Sequence, residues 1–209
     1  MKAILQILLG VAILALGYWL FILFDTPLKF NSVRVDRETV VIERLKDIRT
    51  AQRAYRAKYA KFAGSFDQLI NFVQNDSMEV TLMIGSEYDS AAVAAGQVKH
   101  YVSYVPYKDT IFNHRSVGFD VAKIRYIPFS DKATGSLKEF KMDTVSFLTE
   151  SKMTVPVFEA YAPYVDFLGD LDKQELINYR DIKVNTLKRA DGLKVGSLES
   201  ANNEAGNWE

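Results

Sequence analysis

The 209-residue sequence contains no cysteine, only two histidines, and no excess of either charge. The lack of cysteine excludes disulfide bonds, cysteine-ligated zinc, iron–sulfur clusters and thiol catalysis. The 26 Lys and Arg residues equal the 26 Asp and Glu residues in number, which argues against a nucleic-acid-binding domain because such domains are usually basic. Hydrophobic residues form 48% of the chain and aromatic residues 12%, a composition that argues against disorder.

Motifs of common catalytic and cofactor sites are also missing. The sequence has no Gly-x-Ser-x-Gly elbow, no Walker loop, no Gly-x-Gly-x-x-Gly and no His-Glu-x-x-His. His100 and His114 lack zinc-ligand spacing, so a metal shared with Asp109 or Asp120 is not favoured. An acidic cluster without the EF-hand pattern is interpreted as solvent-facing: Asp166, Asp170 and Asp172. We therefore predict no enzyme activity, no cofactor and no metal.

The strongest feature is an apolar run near the beginning of the chain. Residues 3–24 are apolar or small except for Gln6, and 22 residues of helix are about 33 Å long, enough to cross a hydrocarbon core. The run predicts a transmembrane helix over residues 1–24. A cleaved signal peptide is the alternative, because Ala15-Leu16-Gly17 fits a small-x-small cleavage site. The apolar residues that continue to Phe24 favour the uncleaved anchor.

The orientation follows from two opposing signals. Basic residues are more numerous after the span than before it, which leans toward a cytoplasmic location of the main domain. A two-residue tail before the apolar run is instead typical of a signal anchor that leaves its short end in the cytoplasm. We expect the second arrangement, with the span in the cytoplasmic (inner) membrane and the bulk of the chain in the periplasm. The expected partners are the lipid bilayer and other envelope proteins, including copies of this chain.

Small residues within the span are spaced at heptad intervals. Ala3, Gly10 and Gly17 share one face of the predicted helix, with larger side chains between them. Such a face lets two helices approach closely in lipid, so it is a candidate seam for transmembrane packing. The alternative is that these residues face acyl chains, since Gly and Ala are common in such helices.

The rest of the chain divides into three predicted parts. Asp25-Thr26-Pro27 predicts the end of the first helix, and residues 25–36 are predicted to be a connector. Asp36 is the predicted N-cap of a second helix. Residues 37–199 are predicted to form an extracytoplasmic α+β domain, and residues 200–209 an exposed tail in which Trp208 is the candidate for docking.

The predicted second helix runs from Arg37 to Phe62 and ends at Gly64. Its apolar stripe has alternating intervals of four and three residues: Val41, Leu45, Ile48, Gln52, Tyr55, Tyr59 and Phe62. One interpretation is a coiled-coil seam with a polar Gln52. The other, which the small number of heptads favours, is the buried face of an amphipathic helix on the protein's own sheet.

Basic residues cover another face of the same helix. They follow one another without an intervening acid: Arg49, Arg53, Arg56, Lys58 and Lys61. This basic face can contact anionic lipid headgroups or an acidic partner. The simpler interpretation is a solvated surface whose bases lie near the negative end of the helix dipole.

Beyond this helix the pattern predicts a short helix and then strands. Ser65 begins a capping box for a helix over residues 66–74. The predicted strands end in an antiparallel meander: 80–84, 100–105, 124–129, 137–142, 144–148, 155–161 and 192–198. Residues 91–95 are predicted to be helix or loop, and residues 172–179 a helix. A Tyr-x-Pro-aromatic sequence occurs three times, and we interpret each proline as the end of a strand because proline cannot donate to a sheet.

Two resemblances add to these patterns. The segment from Ile48 to Phe62, followed by Ser65-Phe66-Asp67-Gln68-Leu69, resembles the beginning of type IV pilins and type II secretion pseudopilins. That resemblance covers about the first third of the chain and implies a long helix packed on an antiparallel sheet. The sequence differs from pilins in two ways. Residues 1–9 have neither the Gly-Phe leader-peptidase site nor the glutamate of pilins, and the break predicted at Asp25-Thr26-Pro27 separates two helices that pilins join in one. The whole chain is similar to single-pass envelope proteins of Bacteroidetes, especially around Gly192–Ser197 and Gly206-Asn207-Trp208.

Together these observations predict a membrane-anchored structural or scaffold subunit of a secretion or pilus-like envelope assembly. The alternative is a membrane-anchored ligand-binding domain or enzyme outside the cytoplasm.

Overall fold

A computed structural model describes residues 2–84, 99–115, 119–148 and 152–209. The predicted segment at residues 91–95 lies outside these ranges. The fold is α+β, with one long helix followed by short helices and two small antiparallel sheets. The helices are α1 (Lys2–Tyr59), α2 (Phe66–Asn75), α3 (Tyr107–Ile111), α4 (Ser130–Thr134), α5 (Tyr164–Leu168) and α6 (Lys173–Asp181). The strands are β1 (Ser77–Ile84), β2 (Lys99–Pro106), β3 (Lys141–Leu148), β4 (Thr154–Pro163) and β5 (Gly192–Gly196).

Helix α1 runs without a break through 58 residues and is about 87 Å long. The predicted connector over residues 25–36 is therefore wrong, and Asp36 lies within the helix rather than at its N-cap. Pro27 removes one backbone hydrogen bond, but the helix is supported on both sides of it. Lys29 forms an ion pair with Asp25 across the proline at 2.6 Å, and Phe30 is already buried against the domain.

The C-terminal end of α1 comes earlier than predicted. The helix ends at Tyr59 because Ala60 adopts a left-handed conformation with φ of 58°, so Gly64 does not end it. Phe62 lies in the connecting loop, where its ring packs 4.8 Å from that of Phe158. Helix α2 then begins as predicted, with the Ser65 hydroxyl accepting a hydrogen bond from the backbone N–H of Gln68.

The strands form two separate antiparallel sheets. β1 pairs with β2 alone, whereas β3, β4 and β5 form a three-stranded sheet in that order. The predicted strand over residues 124–129 is wrong, because this region contains a 3₁₀ helix (Val121–Arg125) and one isolated bridge from Tyr126 to Glu139. Two predicted strands, 137–142 and 144–148, are replaced by the single strand β3.

Proline marks strand ends at two of the three Tyr-x-Pro-aromatic sequences. Pro106 ends β2 and Pro163 ends β4, and a short helix begins at the tyrosine that follows each proline. In the third sequence Pro128 follows an isolated bridge and precedes α4. A π-helical turn (Ile182–Thr186) extends α6.

The hydrophobic core lies between α1, α2 and the inner face of the three-stranded sheet. Val41, Leu45 and Ile48 of α1 are fully buried within this single chain, where α1 contacts β4, β5 and α2. Side chains of β4 and α5 complete the core, including Phe158 and Phe167. Because the C-terminal half of α1 is packed in the domain, the long helix and the domain form one structural unit.

The final residues of the chain are packed rather than exposed. Glu204 and Gly206 are buried, and Gly206 forms an isolated bridge with Val195 of β5. Trp208 packs against the core. The predicted exposed tail over residues 200–209 is therefore wrong for residues 204–208, which are buried or half-buried, whereas Glu209 is exposed. We call residues 204–209 the strap. The preceding residues 197–203 are called the hinge.

Candidate functional site

The N-terminal part of α1 is long and apolar enough to span a membrane, and no residue of its apolar stretch is buried against the domain. Large side chains are exposed along it, from Ile4 to Phe24. Gly10 and Gly17 have no atom within 4 Å of the position that a Cβ would occupy, so this face of the helix is open. The role of Ala3, Gly10 and Gly17 as a packing seam stays a prediction.

The apolar stripe of α1 is buried by the same chain over its first four positions. Val41, Leu45, Ile48 and Gln52 have no exposed surface, so they are not available as a coiled-coil seam in this fold. Tyr55 is half-buried, and its ring lies 5.1 Å from that of Phe72 in α2. Tyr59 is exposed and donates a hydrogen bond to Asp76 at 2.7 Å.

Gln52 has a specific role in the loop after α1. Its amide nitrogen donates to the carbonyl oxygen of Ala63 at 3.0 Å, and its amide oxygen accepts from the N–H of Ala63 at 2.9 Å. Both groups are buried and would otherwise lack partners. The polar position in the stripe therefore satisfies a loop within the chain.

The basic face of α1 is largely occupied by acids of the same chain. Arg53 and Arg56 donate to the two carboxylate oxygens of Glu204, at 3.0 and 2.5 Å, and only 7% of the Glu204 side chain is exposed. Arg49 pairs with Glu209 at 2.6 Å, and this contact lowers the pKa of Glu209. Three arginines on successive turns therefore hold the strap.

The remaining members of the predicted basic face differ from the arginines. Lys58 pairs with Asp76 at 2.8 Å, and this hydrogen bond raises the pKa of Lys58 and lowers that of Asp76. Lys61 is exposed. Four of the five basic residues are thus ion-paired within the chain, yet Arg53, Arg56 and Lys58 remain partly exposed, as predicted for a solvated face. A contact of this face with lipid or with another protein stays a prediction.

Backbone contacts complete the attachment of the strap. The N–H of Gly196 donates to the carbonyl of Ala205, and the N–H of Asn207 donates to that of Lys194, both at 3.0 Å. The Asn207 amide donates to the carbonyl of Gly192 at 2.9 Å and accepts from the N–H of Lys194 at 3.1 Å. The strap therefore extends the sheet beside β5.

The hinge is attached at its C-terminal end, where the carbonyl of Asn203 accepts from Arg53 at 3.0 Å and the carbonyl of Asn202 accepts from the N–H of Ala205 at 3.1 Å. Asn203 and the first strap residue, Glu204, both have left-handed backbones with φ of 54°, a conformation that asparagine adopts readily and that costs energy for glutamate. Residues 199–203 are exposed, and a cavity of about 230 Å³ separates the segment 201–204 from residues 155–158 of β4. The hinge therefore arches over the sheet edge without filling the space beneath it.

A second charged cluster lies at the middle of α1. The buried carboxylate of Asp47 accepts from Arg115 at 2.7 Å and lies 3.1 Å from Nε2 of His114. Arg115 also pairs with Glu43 at 3.0 Å. Because Asp47 is neutralised by an arginine, the cluster anchors the segment after α3 to α1.

A third cluster joins α6 to α1 at the residues where the helix first meets the domain. The Tyr179 hydroxyl donates to Glu38 at 2.6 Å, and Arg34 donates to the other oxygen of Glu38, also at 2.6 Å. Burial, together with the hydrogen bond to Glu38, raises the pKa of Tyr179 well above its usual range. A cavity of about 160 Å³ adjoins Tyr179 and is bordered by Lys183, Arg189 and Trp208.

The β1–β2 pair, which we call the ribbon (Ser77–Ile84 and Lys99–Pro106), exposes apolar side chains on both of its faces. Opposite residues share a face, and successive residues alternate between faces. Leu82 is 59% exposed and its partner Tyr101 is 50% exposed, while on the other face Tyr104 is 68% exposed. Other exposed members are Val80, Met83, Ile84 and Val102. Among the described residues, no third strand pairs with the ribbon.

Among the side chains that the structure describes, the residues considered above as metal ligands are not brought together into one site. His114 contacts Asp47 rather than Asp109 or Asp120, and the side chain of His100 lies outside the described residues. Asp170 pairs with Arg37, while Asp172 caps α6. Within the described ranges, no group of three or more metal-binding side chains is found.

Comparison with known proteins finds no matching family model, no matching curated protein and no matching solved structure. The surfaces described above are therefore interpreted from their own chemistry. Sequence reasoning found the basic face but missed the strap that covers it. A usable signal was present, because every charged residue after Gly196 is an acid: Glu199, Glu204 and Glu209. These acids could have been matched with the basic face.

Proposed function

We propose that this protein is a membrane-anchored structural subunit of an envelope assembly, with α1 crossing the cytoplasmic membrane and the domain in the periplasm. The observation that carries the proposal is the exposed apolar ribbon on a chain that also has an exposed apolar N-terminal helix. Together these two surfaces equip the chain to bind lipid at one end of α1 and protein partners through the domain.

The size of the ribbon surface suits protein binding. Seven apolar side chains are each roughly half exposed, which amounts to about 400 Å² on the face of Leu82 and about 300 Å² on the face of Tyr104 if a whole side chain offers roughly 200 Å². A standard protein interface buries about 800 Å² per partner. An isolated two-stranded ribbon is marginally stable in water, so covering its faces would also stabilise it.

The continuity of α1 supports the pilin-like part of the proposal. Pilins join their membrane segment and their domain segment in a single helix, and α1 likewise passes through Pro27 without a break. The distal half of α1 then packs on an antiparallel sheet. We infer a role in a secretion or pilus-like assembly from these shared features.

The experiment uses single-cysteine variants, which are free of background because the chain has no native cysteine. Leu82→Cys places a thiol on the ribbon, and Ile177→Cys on α6 is a matched control with 56% exposure. A thiol-reactive cross-linker is applied to intact cells, and the adducts are identified by mass spectrometry. We expect discrete adducts with envelope proteins, or with a second copy, from the ribbon position only.

Equal adduct yields at the two positions would contradict the proposed contact surface. Membrane anchoring is tested separately by washing membranes with carbonate and high salt, which we expect to leave the protein in the membrane fraction because burial in lipid holds it. A soluble form that begins near Tyr18 would show that the apolar segment is a cleaved signal peptide.

A further inference from the structure

Nearly all arginines of this chain are ion-paired, and Arg44 of α1 is an exception. Eight of the ten arginines form an ion pair with a carboxylate within the described part of the chain. Arg189, which also has no such pair, is exposed, so its unpaired charge has little cost. Arg44 is half-buried, and desolvation by burial lowers its pKa. A partly desolvated charge without a counter-charge is costly, and such groups concentrate at binding sites.

The donors that Arg44 leaves free are those that bind a carboxylate elsewhere in the molecule. Its Nη1 donates to the carbonyl oxygen of Lys123 at 2.5 Å, and its guanidinium lies 5.4 Å from the ring of Phe119. Within the ranges that the structure describes, its Nε and Nη2 make no hydrogen bond. The same two atoms of Arg180 donate to the carboxylate of Asp191. Because this planar fork matches the two oxygens of a carboxylate, Arg44 can bind one from outside the chain.

Arg44 lines an apolar cavity of about 360 Å³, which lies between α1, the 3₁₀ helix and the beginning of α4. The apolar lining comes from the second Tyr-x-Pro-aromatic sequence and from the loop before β3: Tyr126, Pro128, Phe129 and Leu137. Cavities of roughly 300–1,000 Å³ with an apolar lining and a few polar groups are typical of small-molecule sites. The free fork of Arg44 therefore belongs to a cavity with room for an apolar group.

Phe129 lines this cavity with a strained backbone. Its φ of 66° lies in the left-handed region, which costs energy for a residue with a bulky side chain. The guanidinium of Arg37 lies 5.2 Å from the centre of its ring. Backbone strain of this kind concentrates at sites that bind ligands, because the strained residue is placed for contact rather than for stability.

The charged groups that line the cavity favour an anion. Arg44 and Lys123 both line it without an acidic partner in the described ranges, whereas Asp131 is the acid of the lining. We propose that the cavity binds a small carboxylate with an apolar body. The carboxylate accepts from the free fork of Arg44 and lies near Lys123, and the apolar body packs on the aromatic lining. This site goes beyond the proposed function and does not depend on membrane anchoring.

The test is titration calorimetry of the full chain in detergent with three probes. N-acetyl-L-leucine carries a carboxylate on an apolar body, L-leucinamide carries the same body with an ammonium group, and inorganic phosphate is an anion without the body. We expect saturable binding of one N-acetyl-L-leucine per chain. Binding of the other two probes should be at least about tenfold weaker, because each lacks one of the two recognised groups.

Four variants assign the binding to this cavity. Arg44→Gln and Lys123→Gln should each weaken binding of N-acetyl-L-leucine about tenfold, and Lys123 is exposed, so its replacement leaves the fold intact. Asp131→Asn removes the opposing charge and should strengthen binding several-fold. Lys46→Gln is the matched control, because Lys46 is an exposed base of α1 outside the cavity, and should bind as the wild type does.

Three results would overturn the proposal. The first is the lack of saturable binding of N-acetyl-L-leucine. The second is equal binding of L-leucinamide, which would show that the carboxylate is not recognised. The third is unchanged binding in both Lys123→Gln and Asp131→Asn, which would place the site elsewhere.

Discussion

Replacing Gln52 tests whether one buried amide holds the loop between α1 and α2. In Gln52→Leu the side chain keeps a similar size, but the N–H and carbonyl of Ala63 lose both partners while remaining buried. Each orphaned group costs about 1–3 kcal/mol, so the expected loss for the two groups is about 2–6 kcal/mol. That is a large share of the roughly 5–15 kcal/mol that stabilises a typical domain.

The assay is thermal unfolding of the full chain in detergent, followed by circular dichroism. A loss of about 3 kcal/mol corresponds to a melting temperature about 6–12 °C lower for a chain of this size. Gln68→Leu is the matched control, because the Gln68 oxygen also accepts from a loop N–H, that of Gly64, but at an exposed position. We expect the control to change the melting temperature by less than about 2 °C.

A third variant should make the stability of the fold depend on pH. Gln52→Glu places a carboxyl group in the same buried position, where burial raises its pKa in the folded state. The protonated form can donate to the Ala63 carbonyl, whereas the ionised form cannot. Stability should therefore be higher below the unfolded-state pKa near 4 and fall as the pH rises through the folded-state pKa. If Gln52→Leu has the same melting temperature as the wild type, the Gln52 amide does not hold the loop.

Three further perturbations have defined outcomes. Gly192→Ala should lower the melting temperature by several degrees, because its Cβ would lie 2.2 Å from a backbone oxygen of β4. Gly64→Ala is the control and should leave the melting temperature nearly unchanged, because the nearest atoms to its Cβ would lie at 3.8 Å. The hydrogen bond from Arg37 lowers the pKa of Asp170, so this pair stabilises the fold above the unfolded pKa of about 4 and ceases to do so as the pH falls through the folded value. The difference in melting temperature between wild type and Asp170→Asn should accordingly vanish near pH 2, and a constant difference would contradict the assignment. Leu45→Asp should unfold the domain, because an unpaired buried charge costs several kcal/mol; a normal melting temperature with lost self-association would instead assign the stripe to an intermolecular seam.

Local patterns predicted the elements whose determinants are close in sequence. The capping residue Ser65 and the apolar spacing after it located α2 to within a residue, and β-branched runs located β1 and β4. The predicted break at Pro27 was wrong for a physical reason. A proline removes one hydrogen bond from a helix, and packing of Phe30 and the Asp25–Lys29 ion pair support the helix on either side of it.

The surfaces were harder to predict because their partners are distant in sequence. Arg53 and Arg56 are about 150 positions from Glu204, and spacing along one helix gives no information about such a pair. Runs rich in apolar and β-branched residues predicted the strands of the ribbon, but such runs normally indicate strands with a buried face. Only the three-dimensional arrangement shows that Leu82 and Tyr101 are exposed.

The unbroken path of α1 has a mechanical consequence for a chain anchored through it. No flexible joint separates the apolar segment from the domain, so a change in the angle of the helix to the bilayer normal rotates the domain by the same angle. From Phe24 to Tyr59 the helix extends for about 52 Å, so that a tilt of 10° displaces its distal end by roughly 9 Å. In the proposed membrane-anchored arrangement, the helix acts as a lever arm, because any change in the tilt of the span also changes the lateral position of the distal end of the domain.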